Sequence, residues 1–329
     1  MNAKIFIDGE AGTTGLQIRT RLEGRKDIEL INLTDINRKN IDQRRQKLND
    51  CDIAILCLPD DAAREALKLI VNTDTRVIDA STAHRISDGW VYGMPELDSK
   101  QVKRIAVAKR VSNPGCYAIA SVGLLRPLVA EGLLPDDWPV TINAISGYSG
   151  GGKSLIAEFE KATVPNHSEV PFFVYGLDLD HKHVPEIAVW SGLRVRPLFV
   201  PSVGRFLQGM IVQVPLHLAA FPGKPSAAQI HTILSDYYAG KRFVKVASMD
   251  ATLELNRLQP EVLNGTNELR LHVVANECLG QANLIAVLDN LGKGASGQVV
   301  QNLNIMLGLR EETGLEEKFN MPAIVSGSA

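Results

Sequence analysis

The feature that most constrains the fold is the opening of the chain. A short apolar strand, Lys4 to Asp8, runs into Gly9-Glu10-Ala11-Gly12-Thr13-Thr14-Gly15, and a helical pattern follows from Leu16 to Leu22. Glycines at 9, 12 and 15 between a strand and a helix form a loop whose bare backbone can approach a pyrophosphate. The helix N-terminus then stabilises the added charge. A glycine pattern alone is weak, but the strand–turn–helix context gives it meaning. Gly9, Gly12, Thr13, Thr14 and Gly15 are therefore the expected dinucleotide contacts, with a plain βα turn as the alternative.

The next segments continue the theme. Ile28 to Leu33, Asp52 to Leu58 and Arg76 to Ala80 read as strands. Asp60 is placed to cap a helix over Ala62 to Val71, whose apolar residues recur at helical spacing. Strands alternating with helices from the first residues predict a Rossmann-type, doubly wound parallel sheet of the α/β class. Strand carboxyl ends line the ligand crevice of such sheets, which puts Leu58 and Pro59 beside a cofactor. After the second strand, Asp35 suits a ribose hydroxyl, whereas Arg38 and Lys39 suit a 2′-phosphate. The two cations tilt the expectation to NADP, against a merely solvated turn.

Past Cys116 the pattern changes. Val140 to Ile145, Met210 to Leu216, Glu268 to Ala275 and Asn283 to Leu288 read as strands, several alternating with period two. Helices are expected near Ser154 to Lys161 and Ser226 to Tyr238. This predicts an α+β domain with a mixed, largely antiparallel sheet. Gly292 to Gly297 reads as a glycine-rich connector. The apolar stripe Val299, Val300, Leu303, Met306 and Leu307 then predicts a helix that returns to the first domain. The expected division is residues 1–112 with 297–329 for dinucleotide binding, and 113–296 for substrate, catalysis and oligomerisation.

Composition narrows the partners. The 329 residues are 45% hydrophobic and 22% charged, ordinary for a globular chain, and the formal net charge is −2. With no basic stripe and no bilayer-length apolar run, neither nucleic acid nor a membrane is an expected partner. Met1 to Gly9 leads directly into the strand and loop, unlike a signal or transit peptide. Cys51, Cys57, Cys116 and Cys278 show neither CxxC pairing nor zinc spacing. That suggests reduced thiols and a cytoplasmic location, without a metal.

Cys116 is the chemical centre of the sequence. Ser112-Asn113-Pro114-Gly115-Cys116-Tyr117 is a turn that runs into the apolar helical stretch Ala118 to Ala130. Unpaired N–H groups and the positive dipole end at a helix start favour thiolate, so the placement makes a nucleophile. A small packed Cys is the alternative. In His181-Lys182-His183-Val184-Pro185-Glu186, histidines two apart in an extended segment would share a side, and one could serve the thiol as acid/base. Ser146 to Ser154 satisfies the letters of a phosphate loop through Gly147 and Gly152-Lys153-Ser154. It lies after the Cys116 helix instead of after the first strand, so it reads as an active-site loop with Lys153 attracting an anionic substrate. At another strand end, Ser81 and Arg85 could receive phosphate or carboxylate, or act as a cap and a surface arginine.

Taken together, the glycine loop, Asn113-Pro114-Gly115-Cys116-Tyr117, Ser146-Gly147-Tyr148-Ser149-Gly150, His181 to Glu186 and Lys293-Gly294-Ala295-Ser296-Gly297-Gln298-Val299-Val300-Gln301-Asn302 resemble the N-acetyl-gamma-glutamyl-phosphate reductase family in its shorter form. The motifs span nearly the whole chain in the family's order. The resemblance implies a fold shared with aspartate-semialdehyde dehydrogenases. It also implies NADPH-dependent reductive dephosphorylation of an acyl phosphate through a Cys116 thioester, in arginine biosynthesis. His183 would then move the proton, with His181 close behind. Gly147 and Asn302 would lie on the cofactor side, and Asn113, Arg85, Ser149, Lys153 and His181 on the substrate side. A homodimer or homotetramer is the implied assembly. Longer members usually carry Arg where this chain has Lys182, and a more basic segment after the second strand. The same thiol chemistry would suit an aspartate-semialdehyde dehydrogenase, and a thiol acyltransferase or hydrolase would lack the hydride.

Overall fold

The structure is a computed structural model and describes residues 2–34, 37, 40–315 and 318–319. Asp35, Arg38, Lys39 and the final residues 320–329 lie outside the described residues.

The first sheet carries β1 (Ala3–Asp8), β2 (Ile28–Ile31), β3 (Ile53–Leu56), β4 (Arg76–Asp79), β5 (Val91–Tyr92) and β6 (Arg110–Ser112). All its pairings are parallel, in the order β2-β1-β3-β4-β6-β5. Parallel strands need crossovers, and α1 (Thr13–Leu22), α2 (Ile41–Asp50), α3 (Asp60–Leu69) and α4 (Gln101–Val107) lie along the connections. Side chains alternate between two cores. Ile5, Ile7, Ile53 and Ile55 pack with Ile18 and Leu22 of α1, whereas Phe6, Ala54 and Leu56 pack with Leu48 of α2 and Ala63 and Ala66 of α3. Burial on both faces explains why these strands read as continuous apolar runs.

The second sheet holds β7 (Thr141–Gly147), β8 (Phe172–Val174), β9 (Leu198–Gly204), β10 (Met210–His217), β11 (Val244–Val246), β12 (Leu269–Asn276) and β13 (Gln281–Leu288). Its order is β11-β12-β13-β10-β7-β9-β8. It is mixed: β7 with β9 and β11 with β12 run parallel, and the remaining pairs run antiparallel. The apolar helix α5 (Cys116–Ala130) is buried against one face, with residues of α7 (Val184–Ser191) and α8 (Ala227–Tyr237) in the same core. The shorter helices α6 (Gly152–Glu160) and α9 (Met249–Leu253) complete this half. Finally α10 (Gly297–Met306) brings Val299, Val300 and Leu303 into the core of the first sheet, as the stripe predicts.

The departures from expectation are local. Helix α1 begins at Thr13, three residues before the apolar pattern, because a polar first turn can open a helix without periodicity. Asp60 does not cap α3. Pro59 occupies the N-cap position, and the Asp60 carboxylate instead accepts the Thr82 backbone N–H at 2.9 Å. Gly292–Ser296 is no loose connector but a buried π-helical turn leading into α10.

The strand order reverses between β2 and β3 on either side of β1, and the glycine loop leaves β1 at that point. Gly9 sits at φ +91°, where a Cβ would come within 2.4 Å of the Cys57 carbonyl oxygen. Only glycine combines that backbone angle with so close a neighbour. Gly9→Ala is expected to destabilise the fold by at least about 2 kcal/mol in urea titration, through left-handed strain plus the collision. An unchanged midpoint would contradict the packing described.

Candidate active site

The site begins with the turn before α5. Gly115 is the N-cap of that helix and Cys116 its first residue, with no side-chain cap and no acidic residue in the first turn. The first-turn N–H groups of a helix have no intrahelical acceptor, so they remain to bind an oxyanion. Cys116 is half-buried and lines a cavity of about 650 Å³. Behind it stands Gly294, where a Cβ would lie 2.7 Å from that of Cys116.

A buried carboxylate fixes the turn. Glu186, on α7, accepts the Gly115 N–H at 2.9 Å and the Tyr92 hydroxyl at 2.8 Å through Oε1. Its Oε2 takes Arg85 Nη1 at 3.0 Å. Arg85 also donates to the carbonyls of Asn113 and Ala80. The guanidinium thus braces the cavity wall while presenting charge beside the thiol.

The histidines are not in an extended segment. Residues 182 and 183 form a turn, and His183 is the N-cap of α7, which Pro185 helps to start. The two imidazoles still meet, with centroids 4.9 Å apart, because the turn folds them together. His181 Nδ1 accepts the His183 backbone N–H at 3.1 Å, which leaves the ring proton on Nε2 of a neutral His181. The His183 ring packs beside Gly115, where a Cβ would lie 2.5 Å from Nε2. The absent side chain lets the imidazole reach the residue next to the nucleophile.

Both imidazoles are held neutral. Burial, Lys182 and Arg85 push His181 down to about 4, and burial, with Arg85 and His181, drives His183 well below the usual range. Burial also pushes the Cys116 thiol up to about 11, against the pull of Arg85 and the Tyr117 backbone N–H. The helix start favours the anion and desolvation opposes it, and the neutral His183 lines the same cavity.

The glycine loop fits a dinucleotide. Gly15 packs so closely that a Cβ would lie 2.5 Å from the Gly9 carbonyl oxygen. Gly12 caps α1 without a side-chain hydrogen bond, and Thr13 Oγ1 is buried with no partner. Thr13 and Thr14 line the thiol cavity, while Leu58 borders two smaller cavities along the loop. Pro59 ends that edge at the start of α3. Arg38 lies outside the described residues.

Other residues singled out in the sequence are distributed as follows. Gly147, Ser149, Asn113 and His181 line the thiol cavity. Ser149 Oγ accepts Asn290 Nδ2 at 3.1 Å. Ser81 turns inward, giving its hydroxyl to Asp79 at 2.7 Å, and the neighbouring Ala80 lines the cavity instead. Asn302 is fully buried and donates to Asn113 Oδ1 and to the Gly93 carbonyl, so it braces the thiol turn. Lys153 lines the cavities along the glycine loop. The 147–154 segment is no phosphate cradle, because the N–H groups of Gly147, Tyr148 and Ser149 donate to the carbonyls of Gly209, Phe206 and Leu207. Glu186 and Tyr92 carry the geometry without having been singled out. Glu186 lay within a noticed motif, but nothing local signals partners 71 and 94 residues away.

Among the described residues, no cluster of three or more His, Cys, Asp or Glu is arranged to hold a metal, and no helix is long and apolar enough to cross a membrane.

A parallel dinucleotide-type sheet joined to a mixed sheet, with a cysteine between them, defines a class, and comparison with known proteins agrees. Residues 4–105 match the semialdehyde dehydrogenase NAD binding domain, and residues 116–290 match the semialdehyde dehydrogenase dimerisation domain. The fold is that of aspartate semialdehyde dehydrogenase II from Vibrio cholerae complexed with ASA, at TM-score 0.67 and 16% identity over 94% of this chain and 99% of that one. It is also that of the Candida albicans aspartate semialdehyde dehydrogenase with NADP, at TM-score 0.62 and 14% identity over 93% of this chain and 99% of that one. Much nearer in sequence are the N-acetyl-gamma-glutamyl-phosphate reductases of Brucella anthropi and Brucella ovis. Each is 53% identical over 309 residues, covering 94% of this chain and 99% and 100% of theirs. The chain belongs to the N-acetyl-gamma-glutamyl-phosphate reductase family.

The protonation state of the site can be checked directly. In a Cys278→Ser background, which removes the exposed thiol, Cys116 alkylation by iodoacetamide is expected to rise about tenfold per pH unit between about pH 7 and 9. A plateau below pH 8 would show a resting thiolate.

Proposed function

We propose that this chain reduces N-acetyl-L-glutamyl 5-phosphate to N-acetyl-L-glutamate 5-semialdehyde with release of phosphate, using NADPH, as a cytoplasmic step of arginine biosynthesis. The observation that carries this is the 53% identity, over nearly the full length of both chains, to relatives named for that reductase. The thiol cavity supports it, since it brings Cys116, His183 and the glycine loop to one cleft.

In this reading the Cys116 sulfur attacks the acyl carbon and phosphate leaves, giving a thioester. His183 takes the thiol proton during the attack. A neutral imidazole is the right partner for a thiol that burial keeps protonated. The first-turn N–H groups of α5 hold the oxyanion, and the Arg85 charge stabilises it from the wall. Bound NADPH supplies the hydride that brings the thioester to the aldehyde level. When the thiolate is expelled, His183 returns the proton to sulfur. His181 orients His183 through the backbone bond to its Nδ1.

Residues 1–112 with 297–329 form the cofactor domain in this reading, and residues 113–296 form the substrate domain. The match to a dimerisation domain supports self-assembly through that second part, as a homodimer or homotetramer. The choice of NADP is supported by Arg38 and Lys39 in the sequence after β2.

Purified protein is expected to oxidise NADPH with N-acetylglutamyl phosphate and to do so far more slowly with aspartyl phosphate. A preference for aspartyl phosphate would overturn the substrate assignment. Cys116→Ser is expected to lower turnover by about a thousandfold or more while NADPH still binds. Near-normal turnover in that variant would rule out the covalent route.

A further inference from the structure

Lys153 is exposed and makes no hydrogen bond or ion pair among the described residues. It borders two cavities, of about 550 Å³ and 380 Å³, that share Gly12 and Leu58. The larger runs along Asp8 to Gly12 with Arg44, and the smaller covers Gly12 to Gly15. Lys153 therefore stands over the loop at the start of α1, although it belongs to α6, which follows β7 of the second sheet in the chain. Its neighbour Gly152 reaches the same place, with a Cβ position 4.0 Å from Thr13 Oγ1, the buried hydroxyl without a partner.

The charges around the loop identify what Lys153 is for. Asp8 is paired with Arg44 at 2.7 Å, and Glu10 with Arg19 at 2.9 Å. These pairs neutralise one another and leave the Lys153 charge unmatched. Helices α1 and α6 both start from glycine caps without side-chain bonds or first-turn acids. The positive end of α1 and an unmatched ammonium converge where a dinucleotide's pyrophosphate would rest.

We propose that Lys153 is the pyrophosphate-binding cation of the cofactor, supplied across the cleft by the second sheet's helix, and not a ligand of the acyl phosphate. This rests on the dinucleotide reading above. The turn Gly150–Gly152 and the residues Ser154 and Leu155 also line the thiol cavity, so cofactor held by Lys153 fixes one wall of the substrate pocket and favours substrate binding.

The test is direct titration of NADPH and NADH into the intact enzyme, without turnover. Lys153→Ala is expected to raise both dissociation constants about tenfold, by the same factor, as for one lost charge-assisted contact. Lys153→Arg should restore most of the affinity, and the alanine variant should show a weaker salt dependence of binding. Unchanged cofactor affinity with a raised KM for the acyl phosphate would overturn the proposal in favour of a substrate lysine. A loss confined to NADPH would overturn it in favour of a 2′-phosphate contact. If wild-type protein binds neither dinucleotide, the functional reading itself fails, whatever Lys153 does.

Discussion

The site depends on one buried carboxylate. Glu186 accepts the N–H of Gly115, the hydroxyl of Tyr92 and the guanidinium of Arg85 at once. Tyr92 belongs to the parallel sheet, Gly115 to the turn before the nucleophile, and Glu186 itself to a helix packed with the mixed sheet. A charge so deeply buried is tolerable only with its partners in place, and removing one partner of such a pair typically costs about 3–5 kcal/mol. The two halves of the molecule are thus tied at the point where the sulfur must be presented. The same network sets the electrostatics, because the Arg85 that satisfies Glu186 also depresses both histidines and favours the thiolate.

A second set of contacts closes the thiol turn from behind. Asn302 of α10 holds Asn113, and Lys293 in the buried π-helical turn pairs with Glu96 at 2.8 Å and with Gln301. That turn contains Gly294, against which Cys116 rests. All of α10 is buried, yet four of its ten residues are Gln or Asn. An apolar helix would pack the core equally well but could not anchor the turn. The polar side chains are best understood as fixing the position of the nucleophile, since a loosely held reacting atom loses much of the advantage of proximity.

The parts of this arrangement that were legible in sequence are those encoded locally. Gly9 to Gly15 announces a loop because a left-handed residue beside a strand demands glycine. Helix α10 was visible from its apolar stripe even though it returns across the chain. Helix α2 was not, because only Leu48 of its ten residues is buried, so no periodicity marks it. Strand β9 was hidden by Pro201 in its middle, a residue that argues against a strand. The thiol's protonation could not be read, because it is a balance between a local term, the helix start, and a long-range one, burial. Sequence displays only the first. The role of Glu186 is hidden for the same reason, since it is defined entirely by distant partners.

The helix termini reveal how the cleft is kept ready for anions. Helices α2 and α3 carry acidic residues in their first turns, Asp42 in one and Asp60 and Asp61 in the other. There the dipole is already satisfied by the chain's own charge. Three helices at the thiol cavity, α1, α5 and α6, begin instead from Gly12, Gly115 and Gly151, with no first-turn acid and no side-chain cap, whereas α7, which starts there from His183, carries Glu186 in its first turn. Leaving a helix start uncapped sacrifices about 1 kcal/mol that a Ser or Asp would contribute. At α1 and α5 the omission leaves first-turn N–H groups that an anionic ligand can take up, whereas the first N–H of α6, that of Gly152, already donates to the Ser149 carbonyl. A protein whose net charge is only −2 thereby adds backbone donors in the cleft to the positive charge of Arg85 and Lys182, which line the same cavity. Fixed backbone donors also need little reorganisation as charge shifts from thiol to acyl oxygen to phosphate.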